Sequence, residues 1–379
     1  MTNIHTSWPL KILNLSRHGW WGAMLWLMWV LPAQAIELRV AVRNSAQQVQ
    51  IGTSTTGVVR NSRGQEVMQL SELQPITVDA DRRRLTLTNG YRDFGSSSAF
   101  WLKPSDNGVV WIGNRWYRGA VQLIPGDQGV TAINHVDIDH YLYSVVGSEM
   151  PTSWPQEALR SQAIAARSYA LYHQSKAQSR AYDLSNNQSS QVYKGLQGEA
   201  LSTQSAVDTT RGKVLTHNGR VIEAVFHSSS GGHTENSEHV WSKAVPYLKG
   251  VPDFDHNAPV YSWRTQFSLE EVGERIGYPG TIEAVEVLSR TPQGRVNRMK
   301  IIGDEGTLTI TGNTFRQKLG LKSTKFDLAV SPDSISVAGN GFGHGIGMSQ
   351  WGARGMAERG HDYDEILTHF YNGTRLGSL

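Results

Sequence analysis

The sequence predicts an α+β fold, and three observations point to it. Residues 36–116 contain short stretches in which apolar and polar residues alternate, a pattern typical of half-buried strands. An alanine-rich stretch after Pro155 has apolar residues at helical spacing. Helix and strand patterns then mix over 262–337. We therefore expect a β-rich N-terminal segment at 36–116, a larger domain at 117–379 in which a long alanine-rich helix packs on strands, and a small α/β insertion at about 262–337.

The first 35 residues have the pattern of a targeting segment. Lys11 and Arg17 precede an apolar run at 20–31, and small residues at 33 and 35 follow it. This pattern predicts a signal peptide at 1–35, and hence export to the periplasm or cell envelope. An uncleaved membrane anchor is the alternative, although the run is shorter than the roughly 20 residues that span a bilayer.

Composition narrows the function classes. Removing Lys11 and Arg17 with the signal peptide lowers the count of basic residues from 36 to 34, against 33 acidic ones. The mature chain is therefore nearly neutral, no long basic run stands out, and we predict no nucleic-acid partner. The chain has no cysteine, which excludes disulfides, thiol nucleophiles and cysteine-ligated metals.

Strand patterns dominate the N-terminal part, and 36 to about 146 is interpreted as β-rich. The clearest strand candidates lie at 36–40, 85–87, 109–112 and 117–124. The most distinct helix follows Pro155, which suits a first helical turn, while Glu157 suits the positive end of the helix dipole. The apolar face of this helix carries small side chains, which indicates close packing: Leu159, Ala163, Ala166 and Ala170.

Later elements are shorter. The patterns predict strands at 213–215, 221–226, 282–288 and 299–302, and helices at 269–276, 314–319, 349–359 and 363–371.

Between the last strands and helices, glycine occupies every second position from Gly339 to Gly347. Neither nucleotide-binding glycine spacing is present. In an extended strand, this period of two would leave one face bare and place His344 on the decorated face. The bare face could pack against the alanine-rich helix or form the floor of a ligand site, and the stretch alone does not decide between them.

Glu149 is the first candidate for chemistry. It sits between strand-like and helical segments, and Met150, Pro151 and Trp154 follow it closely. Apolar surroundings raise the pKa of a carboxyl group and suit it to act as a general acid. The alternative is a helix-entry glutamate that merely stabilises the helix dipole.

Residues 226–235 form a second candidate, because they hold many hydroxyls and glycines. His227, His233 and Glu235 are a weak metal-ligand set, since their spacing has no fixed geometry. Ser229 lacks the glycine spacing of a nucleophile elbow, so a serine hydrolase is also weakly indicated. A polar loop that faces a ligand is the more reasonable interpretation.

Five motifs in order resemble the SpoIID/LytB family, which contains stage II sporulation protein D and the amidase enhancer. They read DIDHYLYSVVGSEMPTSWPQEALRSQAIAARSYAL, YDLSNNQSSQVYKG, FHSSSGGHTENSEHVW, PYLKGV and GNGFGHGIGMSQWGARGMAERGHDYDEILTHFYNGT. The resemblance runs from about Tyr117 to Thr374. It implies an exported lytic transglycosylase that acts on peptidoglycan glycan strands. It also implies the alternative, a non-catalytic glycan-binding protein that enhances a cell-wall amidase.

The resemblance assigns roles to named positions. Glu149 matches the catalytic glutamate, which would act alone as acid and then base, so that a 1,6-anhydro sugar forms without attack by water. The remaining positions would line the glycan cleft: Tyr193, Lys194, Ser229, Ser230, Gly231, Gly232, His233, His344, Gln350 and Trp351.

One departure from the family pattern concerns a metal. Many members carry a cysteine/histidine set in the second motif, and some bind zinc there. Ser185, Ser189 and Ser190 stand at those positions here. Serine is a poor zinc ligand, so we predict no such zinc site, and we expect neither another metal nor a cofactor.

Overall fold

The structure, a computed structural model, describes residues 36–81, 83–186 and 190–379. The predicted signal peptide at 1–35 lies outside the described residues and stays a prediction. None of the helices in the described part of the chain could span a membrane.

Strands make up the described chain as far as Asp137, which confirms the β-rich N-terminal part. They are β1 Glu37–Ala46, β2 Gln48–Thr53, β3 Gly57–Asn61, β4 Glu66–Leu70, β5 Ile76–Asp81, β6 Arg84–Thr88, β7 Asp93–Ser97, β8 Phe100–Pro104, β9 Val110–Ile112, β10 Arg115–Tyr117, β11 Ala120–Gly126 and β12 Gly129–Asp137. Residues alternate between buried and exposed along most of them, as in β6 and β11, because one face of each strand turns inward.

These strands form two sheets. One runs in the order β10-β9-β2-β5-β6-β7, and the other is β1-β12-β11-β8-β3-β4 with the two-residue strand β13 (Leu184–Ser185) on the free edge of β1. β12 contacts β2 and β5, and β11 contacts β6, so the two sheets share a core. β11 and β12 follow residue 117 but pair with β8 and β1, which precede it. Hydrogen bonds therefore join the two sides of the domain boundary that the sequence predicted.

Two helices follow β12. α1 covers Ile138–Glu149, so the interpretation of all residues to about 146 as β-rich is wrong here. Asp137 caps α1 by accepting from the backbone N–H groups of Asp139 and His140. α2 covers Gln156–Lys176 and confirms the predicted helix after Pro155. It is flanked by α1, by α3 (Leu201–Thr209) and by β14 (Lys213–His217).

The segment between β14 and residue 262 is mostly irregular. It contains β15 (Arg220–Val221), β16 (Phe226–His227) and the short helix α4 (Ser237–Trp241).

The predicted α/β insertion has its own core. Its elements are β17 Ser262–Ser268, α5 Leu269–Ile276, β18 Ile282–Arg290, β19 Val296–Gly303, β20 Gly306–Thr311, α6 Gly312–Leu319, β21 Phe326–Val330 and β22 Ser334–Asn340. The predicted helix at 269–276 is confirmed with its bounds. A single cluster of buried side chains is confined to residues 267–337 and includes Val272, Phe315 and Ile335.

The chain ends with β23 (Met348–Ser349), α7 (Gln350–Ala357), α8 (Tyr363–Phe370) and β24 (Arg375–Ser378), so both predicted C-terminal helices are confirmed. β23 runs parallel to β16, with Phe226 opposite Met348 and His227 opposite Ser349. α7 and α8 both pack against α2. These pairings bring the C-terminal motif beside α1 and α2.

The glycine stretch is not an extended strand beyond Asn340, and that prediction is wrong. Gly341, Gly343, Gly345 and Gly347 all have a positive φ, between 67° and 117°. L side chains rarely adopt this conformation, so the alternating glycines produce repeated reversals of the backbone. Close packing is confirmed, but its partner differs. A Cβ at Gly341 would lie 2.6 Å from the carbonyl oxygen of Ser229, so this loop packs against the hydroxyl-rich loop.

Candidate active site

Glu149 is the last residue of α1, and two distant segments hold its carboxylate. The backbone N–H of Val192 donates to Oε1 over 2.9 Å. The side-chain amide of Gln350 donates to Oε2 over 3.4 Å. The fold therefore brings Glu149, the QVYKG motif and the start of α7 together. The predicted helix-entry role for Glu149 is wrong, because the residue lies at the opposite end of its helix.

The surroundings of Glu149 favour its neutral form. Burial raises the pKa of this carboxyl above its usual range, as the apolar sequence context predicted. The negative end of the α1 dipole acts in the same direction. The hydrogen bonds from Val192 and Gln350 and the charge of Lys194 oppose the rise but do not cancel it. A carboxyl in this balance holds its proton to a higher pH than an ordinary glutamate, and it has donors that stabilise the carboxylate once the proton leaves.

Tyr193 positions this loop from inside the protein. Its ring is buried between those of Tyr117 and Tyr141, and its hydroxyl donates to Oδ1 of Asn134 over 2.7 Å. Its predicted contact with substrate stays a prediction, and the structure gives the hydroxyl an internal acceptor. Lys194 is half-buried, and its charge lies close enough to Glu149 to lower the pKa of that carboxyl.

Gln350 and Trp351 begin α7. Ser349 caps this helix by accepting from the backbone N–H of Gly352. The Trp351 ring meets the Trp154 ring edge to face, with centroids 4.8 Å apart. The guanidinium of Arg354 lies over both rings, at 4.8 Å from Trp351 and 5.4 Å from Trp154. The residues after Glu149 and the start of α7 thus form one aromatic and cationic cluster.

The predicted hydroxyl loop turns its polar groups inward. Ser229 and Ser230 are fully buried. The Ser229 hydroxyl donates to Asp255 over 2.5 Å, and the Ser230 hydroxyl donates to Asp253 over 2.6 Å. The backbone N–H groups of Gly231 and Gly232 also donate to the Asp255 carboxylate. The substrate-binding role of these four residues stays a prediction, and their observed partners are two internal carboxylates.

Asp253 connects this loop to α7. Its carboxyl bonds both Ser230 and Ser349, the cap of α7. Burial and the charge of Asp255 raise its pKa to about 7. The Asp253 carboxyl therefore changes its charge near neutral pH, and it does so while bonded to Ser349, the residue that precedes Gln350.

His344 of the glycine loop and His227 of the hydroxyl-rich loop are in ring contact, with centroids 5.2 Å apart. Nε2 of His344 donates to the carbonyl oxygen of Phe226, and its Nδ1 accepts from the backbone N–H of Ile346. Burial and the charge of Arg295 lower the pKa of His344 to about 4, so the ring is neutral. Nδ1 of His227 donates to the carbonyl oxygen of Ile346, and burial lowers its pKa. The predicted place of His344 in the cleft stays a prediction.

Family patterns and known proteins that are similar to this chain point to the same family. The pattern described as "Stage II sporulation protein" (SpoIID) matches residues 126–217, and a domain of unknown function (DUF8618) matches 232–347. Stage II sporulation protein D of Bacillus subtilis is 35% identical over 263 residues, which are 65% of this chain and 76% of that protein. The chain belongs to the SpoIID family.

Two further relatives extend the comparison of this SpoIID-family chain. An uncharacterized protein of Brachyspira hyodysenteriae is 35% identical over 268 residues, or 69% of this chain and 72% of that protein. The amidase enhancer of Bacillus subtilis is 29% identical over 296 residues, or 62% of this chain and 40% of that protein. The similarity to stage II sporulation protein D and to the amidase enhancer suggests a role related to cell-wall peptidoglycan.

The donor set for a family zinc site does not fit this member of the SpoIID family. Ser185 and Ser190 replace two of the ligands, and Ser189 lies outside the described residues. In the other candidate metal-ligand set, His233 and Glu235 already have partners within the protein. Nδ1 of His233 donates to the carbonyl oxygen of Thr234, and Glu235 accepts from His239 and from the backbone of Gln293. In the described part of the chain, no group of three acidic or histidine side chains is arranged to hold a metal ion.

Sequence reasoning missed three residues that shape this site: Val192, Asp253 and Asp255. Val192 acts through its backbone N–H, which no side-chain pattern identifies. The two aspartates had a detectable signal, because a loop rich in hydroxyls requires acceptors once it is buried. The acidic pair around Phe254 supplies them.

Proposed function

We propose that this protein is an exported lytic transglycosylase that cleaves peptidoglycan glycan strands between N-acetylmuramic acid and N-acetylglucosamine. The observation that carries the proposal is the environment of Glu149. Its carboxyl has a raised pKa, two hydrogen-bond donors from distant segments and an aromatic cluster that begins five residues further along the chain. A general acid needs this combination of retained proton and fixed direction.

In the first step, protonated Glu149 donates its proton to the glycosidic oxygen. The bond from this oxygen to C1 of the muramic residue breaks, and positive charge develops on that ring. Val192, Gln350 and Lys194 are placed to stabilise the carboxylate that remains, since each of them favours the ionised form.

In the second step, ionised Glu149 takes the proton from the C6 hydroxyl of the muramic residue. O6 then bonds to C1 and closes a 1,6-anhydro ring, which returns Glu149 to its protonated state. No water is consumed, so the second carboxylate of ordinary glycosidases is not required. Among the described residues, the groups that act on the Glu149 carboxyl are a backbone amide, a side-chain amide and an ammonium.

Substrate binding is proposed to use the cluster beside Glu149. The partly exposed Trp351 ring, which packs on the buried Trp154, suits the apolar face of a sugar ring, and Arg354 adds a cation for an anionic group on the glycan. Lys194, whose charge acts on the Glu149 carboxyl, would serve a similar purpose. Tyr193, Ser229 and Ser230 would then support the cleft from inside, while Gly231, Gly232 and His233 shape its loop.

The test is a comparison of wild type with Glu149→Gln on purified sacculi, with products analysed by mass spectrometry. Wild type should release 1,6-anhydro products, and the variant should bind glycan but lose cleavage by about 10² to 10⁴-fold. Glutamine keeps the shape of the side chain, so the unfolding midpoint should not fall. Absence of anhydro products from wild-type protein on both intact and peptide-free sacculi would refute the proposal.

A second candidate is a glycan-binding protein that stimulates a cell-wall amidase. The similarity to the amidase enhancer favours it. In that case the β-rich segment at 36–116 would contact the partner or the wall. Glu149→Gln would leave amidase stimulation unchanged, which separates the two functions in one pair of proteins.

A further inference from the structure

The segment 191–194, which bonds Glu149, belongs to no helix or strand. The backbone N–H of Val192 reaches Oε1 of Glu149 from this segment. Irregular segments are usually more mobile than helices and strands. The Val192 donor therefore keeps its direction only if the residues beside it are fixed by other contacts.

Gln191, the residue before Val192, is fixed by two helices. Its side chain is buried, and its amide oxygen accepts from the Tyr141 hydroxyl of α1 over 3.0 Å. Its amide nitrogen donates to the carbonyl oxygen of Ala166 in α2 over 3.3 Å. The amide thus has a partner at each end, and it cannot turn without leaving a buried polar group unpaired.

Tyr141 is suited to hold this amide. Its side chain is fully buried, and its ring contacts that of Tyr193 with centroids 4.8 Å apart. Burial raises the pKa of Tyr141 well above its usual value, so the hydroxyl keeps its proton and remains a donor. The charge of Glu149 also raises this pKa, so the Tyr141 side chain lies within electrostatic reach of the carboxyl.

Three contacts join α1 to the segment 191–194. Tyr141 bonds Gln191, and Glu149 accepts from the backbone of Val192. Oγ of Ser144 accepts from the backbone N–H of Lys194 over 3.2 Å. The contact at Glu149 is strong only when the carboxyl is ionised, because a charged acceptor strengthens a hydrogen bond. The other two contacts do not involve Glu149, so they hold the segment in either protonation state of the carboxyl.

We propose that Tyr141 and Gln191 are positioning residues, which keep the Val192 N–H directed at Glu149 while the carboxyl loses and regains its proton. The proposal rests on the proposed function, in which Glu149 gives up a proton in the first step and recovers one in the second. A donor that is held in advance stabilises the carboxylate without reorganisation of the protein at the moment of reaction. Both side chains are buried, so they act through Val192 and not through contact with the glycan.

The test follows the titration of the Glu149 carboxyl by NMR, in protein labelled with carbon-13 in its glutamate side chains. The signal is assigned by its absence from Glu149→Gln. Tyr141→Phe and Gln191→Met each remove the bond between the two residues, so Val192 should lose its fixed direction and the pKa of Glu149 should rise by about 0.5 to 1 pH unit. The kcat of glycan cleavage should fall about three- to tenfold at unchanged KM. The double variant should shift the pKa no further than Gln191→Met alone, because the bond is already lost.

Tyr278→Phe is the matched control. It removes the hydroxyl of another buried tyrosine, which donates to the carbonyl oxygen of Gly306 in the insertion, and it should change neither the titration of Glu149 nor kcat. Lys194 and, from α2, Tyr169 also interact electrostatically with Glu149, and the pKa of Tyr169 is about 12. Both residues are retained in all variants, so a shift reports the backbone donor.

The outcomes separate this proposal from the proposed function. If wild type releases no anhydro products, the proposed function fails, and the NMR titration still decides whether Tyr141 and Gln191 act on Glu149. If wild type cleaves glycan and neither variant shifts the titration, the positioning role is refuted while the function stands. A lowered unfolding midpoint without any shift, or a raised KM at unchanged kcat, would refute it as well. A shift in Tyr141→Phe that Gln191→Met does not reproduce would remove Gln191 from the proposal.

Discussion

Gln350 donates its side-chain amide to Oε2 of Glu149 across 201 positions of sequence. This contact joins the end of α1 to the start of α7, and it favours the ionised form of the carboxyl. It therefore opposes the burial that raises the pKa of Glu149. The position of that balance decides how much of Glu149 is protonated at a given pH.

Replacing Gln350 by leucine should raise the pKa of Glu149. The carboxylate loses a donor, so the pKa of Glu149 rises further above its usual range. Because the first step needs the protonated form, the alkaline limb of the rate of glycan cleavage should move to higher pH. The rate profile with pH of wild type and Gln350→Leu measures this directly. Gln350→Glu is a useful contrast, because a second carboxyl there should raise the pKa more. An unchanged or downward shift in the leucine variant would contradict the assignment.

Tyr193→Phe should reduce stability and leave glycan affinity unchanged. The variant removes the donor that satisfies Oδ1 of Asn134, a fully buried residue. An unsatisfied buried acceptor costs about 1–3 kcal/mol in the free energy of unfolding. Chemical denaturation and calorimetry with glycan give the two quantities. Tyr143→Phe is the control, since that hydroxyl donates to Asp208 at the surface and its loss should cost little. A loss of affinity without loss of stability would show that Tyr193 contacts substrate.

Local sequence patterns predicted those helices for which the spacing of apolar residues and the residues at the helix ends indicate the same bounds. The helix at 269–276 begins after a Ser268 cap and ends at Gly277, so its bounds follow from the sequence. The same is true of the helix after Pro155. α1 was missed because its sequence is rich in residues that suit strands, such as Val145 and Val146. Its cap at Asp137 was the available signal, and packing against α2 overrides the local preference.

The glycine loop shows the limit of a periodicity argument. A period of two is typical of a strand, but it also fits a chain in which every second residue needs a positive φ. Glycine alone satisfies the second condition easily, and the sequence does not separate the two. For the site, the apolar sequence context indicated Glu149, and the resemblance supplied its catalytic role and Gln350. Their contact, and the inward direction of Ser229, depend on how distant segments meet in the fold.

Gly345→Ala should be among the more damaging single-methyl changes in the protein. Gly345 has φ +81°, and a Cβ there would lie 2.0 Å from a guanidinium nitrogen of the buried Arg295. Left-handed strain costs roughly 1–2 kcal/mol, and overpacking adds roughly 1–3 kcal/mol. Gly360→Ala isolates the first contribution, because Gly360 has φ +93° and open space around it. Denaturant unfolding of both variants compares them. Equal losses would show that Arg295 moves aside freely.

Asp253 should give the protein a pH-dependent stability. Its carboxyl has a pKa of about 7 in the folded chain, raised by burial and by Asp255, against roughly 4 when unfolded. Between these values the folded state holds a proton that the unfolded state has lost. The free energy of unfolding should therefore fall as pH rises from about 4 to about 7, and level off above that.

Asp253→Asn should flatten this slope, because asparagine does not titrate and can still bond Ser230 and the backbone of Phe254. The measurement is denaturant unfolding of wild type and variant at several pH values between 4 and 8. Asp327→Asn is the matched control, since that carboxylate is 86% exposed and should leave the slope intact. If Asp253→Asn keeps the full slope, another group titrates there. If the slope flattens and glycan cleavage at pH 8 also rises, the charge on Asp253 acts through Ser349 on the start of α7, and hence on Gln350 and Glu149.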